Sequence, residues 1–418
     1  MREDHRDAVQ RVDAERLWQR HMEMAQIGAI PGNGVDRAAF SAEDVRARRL
    51  LLSWAGSRNF SVSMDAIGNL FVRRDGTEPG APPIMSGSHM DSQPRGGRFD
   101  GIYGVLAALE ALDAIDAAGV KTRRPIELVA WSNEEGGRFA PCTMGSAVYT
   151  GARAIEDFIG VTDNEGVALG DALKQTLAAI PEARKRELNT PAAGYIEAHI
   201  EQGPLLEMQK KTVGVVTGIQ GLRWFNIEVS GKTDHAGTTP LGLRKDALRA
   251  AVDIINALRE LTHDPNDVLR FTVGRVLVTP NSPNSVPSHV LFSVDIRHPD
   301  LASIKRLGEA VEPLARKAAG ACNVTVTPTL QDDPCVFDSA VVDTIERVAL
   351  DLGVSNMRLP SGASHDAMYM ARVCPTGMIF VPCENGVSHN EAENAKAEDL
   401  AAGARVLTAA LLELANRE

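Results

Sequence analysis

The spacing of apolar residues predicts that helices and strands alternate through the N-terminal part of the chain. Helices repeat apolar positions every three to four residues, whereas strands alternate them or form short continuous apolar runs. The elements predicted in this way are helices at 9–26, 42–57 and Ile102 to about Gly119, and strands at AIGNLFV (66–72), PPIMSGSH (82–89) and IELVAWS (126–132). Strand, helix and strand in this order favour an α/β sheet covered by helices, with a site at the strand ends.

The pattern changes near residue 214 and changes back near residue 331. The predicted elements between these points are a two-strand hairpin in GVVTGIQGLRWFNIEVSGK, helices in RKDALRAAVDIINALREL and LASIKRLGEAVEPLARKAAG, and strands in FTVGRVLV, HVLFSVDIRH and NVTVTPTL. After them the α/β pattern returns with a helix at 337–352, the strand GMIFVPC and a closing helix from Ala397. We therefore predict a discontinuous domain of residues 1–213 and 331–418, with an α+β domain of residues 214–330 inserted in it.

Composition narrows the classes of function. The 418 residues are 44% hydrophobic and 24% charged, which is typical of a folded globular chain. The net charge of −11, without any cluster of Lys and Arg, disfavours nucleic-acid binding. Neither an apolar run long enough for a membrane span nor a signal-peptide core is expected. Five widely spaced cysteines without CxxC pairs favour reduced thiols, so we expect a cytoplasmic protein.

The stretch SGSHMDSQPRGGRFDGIYG (86–104) combines metal-ligating residue types with a glycine-rich backbone. If a strand delivers His89 and the following turn delivers Asp100, an imidazole and a carboxylate can meet at one metal ion. Asp91 lies two residues after His89 and is expected to hydrogen-bond the other nitrogen of its ring. The alternative for His89 alone is an ordinary surface or core histidine.

Further ligand types follow other predicted strands. The buried strand IELVAWS ends near Glu134 and Glu135, and adjacent carboxylates there are costly to bury unless a cation neutralises them. One of them can bind a metal while the other takes a proton from water. His199 in YIEAHIEQGPLLE and His389 in ENGVSHNEAEN complete the ligands for two divalent ions about 3.5–4 Å apart.

Taken together, the motifs resemble the hydantoinase/carbamoylase-type amidases, a branch of the aminoacylase and carboxypeptidase metallopeptidase superfamily. The resemblance rests on GSHMDSQPRGGRFDG, WSNEEGGRF, EAHIEQGPLLE, SGKTDHAGTTP, PNSVP, SGASHDA and GVSHNEAE. It implies an α/β di-metal hydrolase domain with a mixed central sheet and an inserted ferredoxin-like lid and dimerisation domain. It also implies that Asp100 bridges two ions, with His89 and His199 on one ion and Glu135 and His389 on the other, and that Glu134 is the general base.

Residues of the inserted domain have chemistry suited to a carboxylate-bearing substrate. Arg297 offers a forked cation for a carboxylate, Asn284 can hold an amide or carboxylate oxygen, and His235 could stabilise an oxyanion. The resemblance places them in a lid from which some residues reach the active site of a second subunit. Gln202 and His365 are further substrate-pocket candidates. One departure from the family pattern is Ser364, where a glycine is expected before the histidine of SGASHDA.

The resemblance predicts metal-dependent hydrolysis of a linear ureido or carbamoyl amide, most simply an N-carbamoyl-L-amino acid. Allantoate amidohydrolase and β-ureidopropionase share the same motifs and stay open, as does a more distant dipeptidase or N-acyl amino acid deacylase. A non-catalytic binding protein is disfavoured because every expected ligand and the base are present. Zn, Mn, Co and Ni all suit mixed His and carboxylate ligands, so the metal is left open. A homodimer formed through the lid is expected, with neither a nucleic-acid nor a membrane partner.

Overall fold

The computed structural model of the chain describes residues 2–56, 58 and 60–417. The strands are β1 Ser61–Met64, β2 Leu70–Arg74, β3 Ile84–His89, β4 Ile126–Trp131, β5 Arg184–Lys185, β6 Gly194–Ile200, β7 Val213–Ile219, β8 Gly221–Ser230, β9 Arg270–Thr272, β10 Val276–Thr279, β11 His289–His298, β12 Asn323–Asp332, β13 Cys335–Val336, β14 Asn356–Ser361 and β15 Thr376–Val381. The helices are α1 Glu3–Gln10, α2 Ala14–Met24, α3 Ala42–Gly56, α4 Ile102–Ala117, α5 Met144–Tyr149, α6 Leu169–Ala179, α7 Leu205–Met208, α8 Ala247–Leu261, α9 Leu301–Ala318, α10 Ser339–Asp351, α11 Ala367–Met370 and α12 Ala397–Ala415.

The chain divides into two compact units. The first unit is Met1–Thr217 with Val336–Glu418, and the second is Gly218–Cys335. Within the described residues, no helix combines the length and the apolar composition that a bilayer span requires.

The sheet of the first unit has a parallel centre, and this centre positions the candidate site. Strands β4, β3, β6 and β15 lie side by side and run parallel, while β2 pairs antiparallel with β4 and β7 pairs antiparallel with β15. β3, β4, β6 and β15 are buried along their whole length, and α4, rich in Ala and Leu, packs on β3 and against α12. The expected α/β class with a mixed central sheet is confirmed.

The second unit is a βαββαβ domain. Its chain order is β8, α8, β10, β11, α9 and β12, and its antiparallel sheet has the order β10-β11-β8-β12, with β9 also paired to β11. The apolar side of α8 and α9 packs on alternate residues of β8 and β11, such as Ile227 and Phe292. This strand order is the ferredoxin-like arrangement.

The predicted hairpin at the start of the second domain is wrong. β7 and β8 are consecutive strands, but β7 pairs with β15 in the first unit, whereas β8 pairs with β11 and β12 in the second. The burial patterns give the reason: β7 is buried almost throughout, as an inner strand is, while β8 alternates buried and exposed residues. The first unit therefore keeps the chain to Thr217, where the prediction ended it at residue 213.

Two other departures come from local carboxylates. The single helix predicted at 9–26 is two helices, because the side chain of Asp13 accepts hydrogen bonds from the N–H groups of Glu15 and Arg16 and so begins α2. The strand predicted at 66–72 begins only at Leu70. The carboxylate of Asp65 binds the N–H groups of Ile67 and Asn69 and holds residues 65–69 in a turn.

Candidate metal centre

Parallel strands bring the predicted ligands to one edge of the first unit's sheet. His89 is the last residue of β3, Glu134 and Glu135 follow β4, His199 lies near the end of β6, and His389 lies in the loop after β15. Because these strands are parallel neighbours, their carboxyl ends lie side by side. The backbone direction of the sheet therefore gathers residues that are up to 300 positions apart in the chain (89 to 389).

Asp100 lies at the centre of this group, just before α4. Its Oδ1 is 3.2 Å from Nε2 of His199 and 3.7 Å from Nε2 of His89. Its Oδ2 is 3.3 Å from Nε2 of His389, which is itself 3.5 Å from Oε2 of Glu135. The two oxygens of one carboxylate thus face two different groups of ligand atoms.

These two groups have the donor chemistry of divalent metal sites. His89, Asp100 and His199 form one group and Asp100, Glu135 and His389 form the other, each with its ligand atoms within 4.8 Å of one another. Imidazole nitrogen with carboxylate oxygen is a combination that Zn, Mn, Co and Ni accept. The residues therefore fit two cations that share Asp100. Glu134 is placed beside the first group, with Oε2 at 3.6 Å from Nε2 of His89.

A glycine permits the close approach of Asp100 to His89. Gly101 has φ +67°, and a Cβ atom on it would lie 2.2–2.4 Å from atoms of the His89 ring. Any side chain there would clash with the ring and strain the backbone. The glycine-rich backbone of the 86–104 stretch is thus needed at the residue that follows Asp100.

Asp91 contacts His89 in a different way from the one expected. Nδ1 of His89 lies 2.9 Å from the main-chain oxygen of Asp91, whereas the nearest carboxylate oxygen is 3.9 Å away. The carboxylate instead accepts hydrogen bonds from the N–H groups of Glu134 and Glu135, at 3.3 and 3.2 Å. Asp91 therefore fixes the ring of His89 by its backbone and the two glutamates by its side chain.

Burial and mutual charge shift the pKa values of the whole group. Burial, followed by the charge of Asp100, raises the pKa of Glu135 to about 8, and burial with the charges of Asp366 and Glu135 raises the pKa of Glu134 well above its usual range. Burial opposes ionisation of Asp100, but hydrogen bonds from His199 and His389 hold its pKa well below the ordinary value.

The histidines divide according to their contact with Asp100. Burial lowers the pKa of His89 to about 4. For His199 the hydrogen bond and charge of Asp100 outweigh burial and raise the pKa to about 9, and the hydrogen bond to Asp100 raises the pKa of His389 to about 9. Without metal, Glu135, His199 and His389 therefore hold protons at neutral pH. A cation can bind these side chains only after the protons have left.

The two further pocket candidates of the first unit occupy different positions. Gln202 reaches the centre: its Nε2 donates to Oδ2 of Asp100 at 2.9 Å and lies 3.3 Å from Nε2 of His389. His365 is buried, bonded to Oγ of Ser361 at 2.9 Å, with its ring centroid 4.6 Å from that of His199. The neighbouring Ser364 is not among the described residues with positive φ, so its backbone does not require the glycine expected there.

The candidates of the second unit lie on its sheet and loops. His235 forms a β-bridge with Ser285, next to Asn284, and its Nδ1 accepts hydrogen bonds from the N–H groups of Gly237 and Thr238 at 3.0 and 3.2 Å. The proton of the neutral ring is therefore on Nε2. Arg297 lies next to the last residue of β11, and its guanidinium forms an ion pair with Asp295 at 2.9 Å.

Sequence reasoning missed residues that hold the ligands in place. Gln93 donates from its backbone N–H to Oε1 of Glu135 at 3.1 Å and from its side chain to Oε2 at 2.8 Å. Ser388 donates to Oδ2 of Asp100 at 3.0 Å. Ser388 precedes His389 and Gln93 follows Asp91 by two residues, but neither is a metal-ligating type, so only the folded structure reveals their contacts.

Metal affinity should depend steeply on pH. Glu135, His199 and His389 hold protons at pH 7, and a cation must displace them, so the apparent affinity should rise by more than about tenfold per unit between about pH 6 and pH 8. The rise should level off above about pH 9, where these groups are unprotonated. Isothermal titration in buffers of different ionisation enthalpy measures the released protons. An affinity that does not change over this range, with no proton release, contradicts the prediction.

Comparison with known proteins assigns the chain to a family. Residues 85–413 match the model of Peptidase family M20/M25/M40. The chain is 41% identical over 408 residues to an N-carbamoyl-L-amino-acid amidohydrolase of Rhizobium meliloti, covering 97% of each chain, and 32% identical over 394 residues to an allantoate amidohydrolase of Escherichia coli K12, covering 94% and 96%.

A solved structure agrees with these matches. An amidase of the hydantoinase/carbamoylase family from Burkholderia multivorans superposes with a TM-score of 0.93 at 41% identity, covering 97% of this chain and 99% of that one. The predicted resemblance is confirmed, and the chain belongs to Peptidase family M20/M25/M40, among relatives that include hydantoinase/carbamoylase-type amidases.

Proposed function

We propose that this protein hydrolyses N-carbamoyl-L-amino acids to the L-amino acid, carbon dioxide and ammonia, with two divalent cations as cofactors. The observation that carries the proposal is the position of Asp100, whose two carboxylate oxygens face separate groups of ligands beside Glu134. The similarity to an N-carbamoyl-L-amino-acid amidohydrolase over nearly the whole chain supports this substrate class.

The ligands in this proposal are those of the two groups around Asp100. His89 and His199 hold one ion with Oδ1, and Glu135 and His389 hold the other with Oδ2. When bound, divalent ions supply Lewis-acid polarisation of the substrate carbonyl and make water a stronger acid. Zn, Mn, Co and Ni stay candidates, since this donor chemistry accepts each of them.

Glu134 is the general base in this proposal. Its main chain is fixed on both sides, because its N–H donates to the carboxylate of Asp91 and its C=O accepts from the N–H of Thr143 at 2.7 Å. Its carboxylate is directed to the ligand cluster, with Oε2 3.6 Å from Nε2 of His89. Glu134 would take a proton from the attacking water and return it to the leaving nitrogen, which requires a carboxylate whose pKa is raised towards neutrality, as burial raises this one.

The second unit would supply substrate contacts, and its internal geometry favours a homodimer. β11 runs from His289, opposite Ser230, to Arg297, opposite Leu222, so these ends are on the order of 27 Å apart at the usual rise per strand residue. His235 lies beyond the His289 end, where Asp234 and Val286 continue the pairing. In an N-carbamoyl amino acid the carboxylate is only a few bonds from the reacting carbonyl. One copy therefore cannot place both Arg297 and His235 on one substrate.

Exposed apolar side chains near the His235 loop support such an assembly. Leu241 and Leu243 are 70% and 74% exposed, and Leu248 and Val252 lie on the outer face of the following α8. Exposed large apolar side chains close together in the sequence are a feature of surfaces that are covered by another subunit. In the proposed homodimer, Arg297 of one copy would bind the substrate carboxylate, while His235 and Asn284 of the other copy would contact the carbonyl. We also propose a cytoplasmic location, which the wide spacing of the five cysteines, without CxxC pairs, supports.

Ammonia release against a matched panel tests the function. The panel is N-carbamoyl-L- and D-amino acids, N-carbamoyl-β-alanine, allantoate, and N-acetyl amino acids scored for free amine. With manganese-loaded protein we expect ammonia from N-carbamoyl-L-amino acids in preference to the others. Preference for allantoate, the substrate named for a 32% identical relative, would replace the substrate, and amine without ammonia would make the protein a deacylase or peptidase.

The control for this assay is Glu134→Gln. This variant should keep both metal ions, since Glu134 belongs to neither of the two ligand groups. Its kcat should fall about a hundred- to ten-thousand-fold, because the proton acceptor is gone. Metal analysis of the same preparation separates the two effects. Turnover close to that of the unmodified protein would remove Glu134 from its role.

Complementation between two inactive variants tests the shared site. Arg297→Ala and His235→Ala should each lower kcat/KM by roughly a hundredfold or more, because each removes a charged or polar contact to the substrate. Coexpressed in equal amounts, they should recover about a quarter of the normal activity, since half of the dimers are mixed and one of their two sites is intact. If both residues served the same site from one copy, mixing would restore nothing.

A further inference from the structure

Glu393 is a buried carboxylate beside the candidate metal centre that neither ligand group includes. It lies four residues after His389 and is 1% exposed. Its Oε1 accepts hydrogen bonds from the backbone N–H groups of Phe99 and Asp100, at 2.9 and 3.1 Å. Its Oε2 lies 3.0 Å from the hydroxyl of Ser388, whose single proton it shares with Oδ2 of Asp100. Each oxygen thus contacts polar groups of the protein, Oε1 in the turn of Asp100 and Oε2 in the loop of His389.

These contacts join the turn that carries Asp100 to the loop that carries His389. Ser388 Oγ is also 3.0 Å from Oδ2 of Asp100, the oxygen that faces His389. Glu393 therefore fixes the backbone of Asp100 directly and fixes the surroundings of its Oδ2 through Ser388. The opposite oxygen, Oδ1, faces His89 and His199 and has no such link to Glu393.

The backbone of both loops is constrained near Glu393. His389 has φ +55°, a left-handed backbone conformation that costs a histidine roughly 1 kcal/mol or more, and its side chain is half exposed. Across the contact, a Cβ atom on Gly97 would lie 2.0 Å from the Glu393 carboxylate, so the glycine leaves the space that this carboxylate occupies. The carboxylate is held in that space by its contacts with Phe99, Asp100 and Ser388.

We propose that Glu393 is a positioning residue for the cation held by Asp100, Glu135 and His389. It acts through hydrogen bonds to Asp100 and Ser388 and does not bind the metal itself. The proposal rests on the two-cation site of the proposed function, but it is independent of the substrate.

Calorimetric titration of the metal-free chain with Mn²⁺ tests this role. We expect the unmodified chain to bind two ions. Glu393→Ala should bind one ion with nearly normal affinity, whereas its affinity for the ion held by Asp100, Glu135 and His389 should fall about ten- to a hundredfold, the usual effect of losing a residue that orients a ligand. Glu393→Ala should thus resemble His389→Ala. Glu393→Gln should bind both ions normally, because its amide oxygen can accept from both N–H groups and its NH₂ can donate to Ser388.

Glu391→Ala is the matched control. This glutamate lies in the same loop, two residues away, but its carboxylate pairs with the exposed Arg95 at 2.5 Å. Its loss should leave both titration steps unchanged. If Glu393→Ala does not fold by circular dichroism, Ser388→Ala takes its place and should weaken the same ion several-fold, because it removes the link to Oδ2 of Asp100.

Normal binding of both ions by Glu393→Ala, or by Ser388→Ala where that variant is used, overturns the proposal. So does a Glu393→Gln variant as weak as Glu393→Ala, since charge and not hydrogen bonding would then be required. Binding of a single ion by the unmodified chain also overturns it. Failure of the proposed function is distinguishable, because a chain that releases no ammonia from any ureido substrate can still lose one ion in Glu393→Ala.

Discussion

Repulsion among buried carboxylates is the constraint on which this structure depends. Asp100, Glu134 and Glu135 lie together at the edge of the first unit's sheet, where little water can solvate them. Such a group is stable only with protons or cations between its members. The raised pKa values of Glu134 and Glu135 show the first solution, and the histidines placed around Asp100 are suited to the second. The site is therefore a place where metal and protons compete.

The surrounding strands, turns and hydrogen bonds hold these side chains in place. Parallel strands bring the ligands to one edge, and Gly101 lets the carboxylate approach His89. Further hydrogen bonds hold the ligands: the Asp91 carboxylate fixes the backbone of both glutamates, and Gln93 fixes the side chain of Glu135. In the proposed function, positions of this precision determine both the affinity for metal and the direction of the Glu134 carboxylate.

Much of the fold and of the candidate site could be predicted from the sequence, because apolar runs predict buried strands and polar residues after them predict a site at the strand ends. This pattern is present in IELVAWS, which precedes Glu134 and Glu135, and in the strand that ends at His89. The family resemblance adds the pairing of ligands around Asp100, which strand patterns alone do not give. The pattern of residue types could also have separated β7 from β8. VGVVTGI in β7 is apolar or glycine except at Thr217, whereas in β8 the polar residues Asn226, Glu228 and Ser230 alternate with apolar ones.

The rest depends on contacts between residues distant in sequence. The folded backbone decides whether Asp91 contacts His89 with its carbonyl or its carboxylate. The partner of Gln93 is Glu135, 42 positions away in the chain. Hydrogen bonds of this kind leave no periodic signal, so they are found only in the structure. In the second unit, sequence order likewise conceals that His235 and Arg297 lie at opposite ends of one sheet.

The central claim is that Asp100 is shared between two cations. Crystals soaked with Mn²⁺ and measured near its absorption edge test it most directly, since anomalous scattering locates each ion without a model of the ligands. Two peaks about 3.5–4 Å apart are predicted, one between Asp100 Oδ1, His89 and His199 and the other between Oδ2, Glu135 and His389. A single peak, or two peaks that do not share Asp100, would contradict the claim.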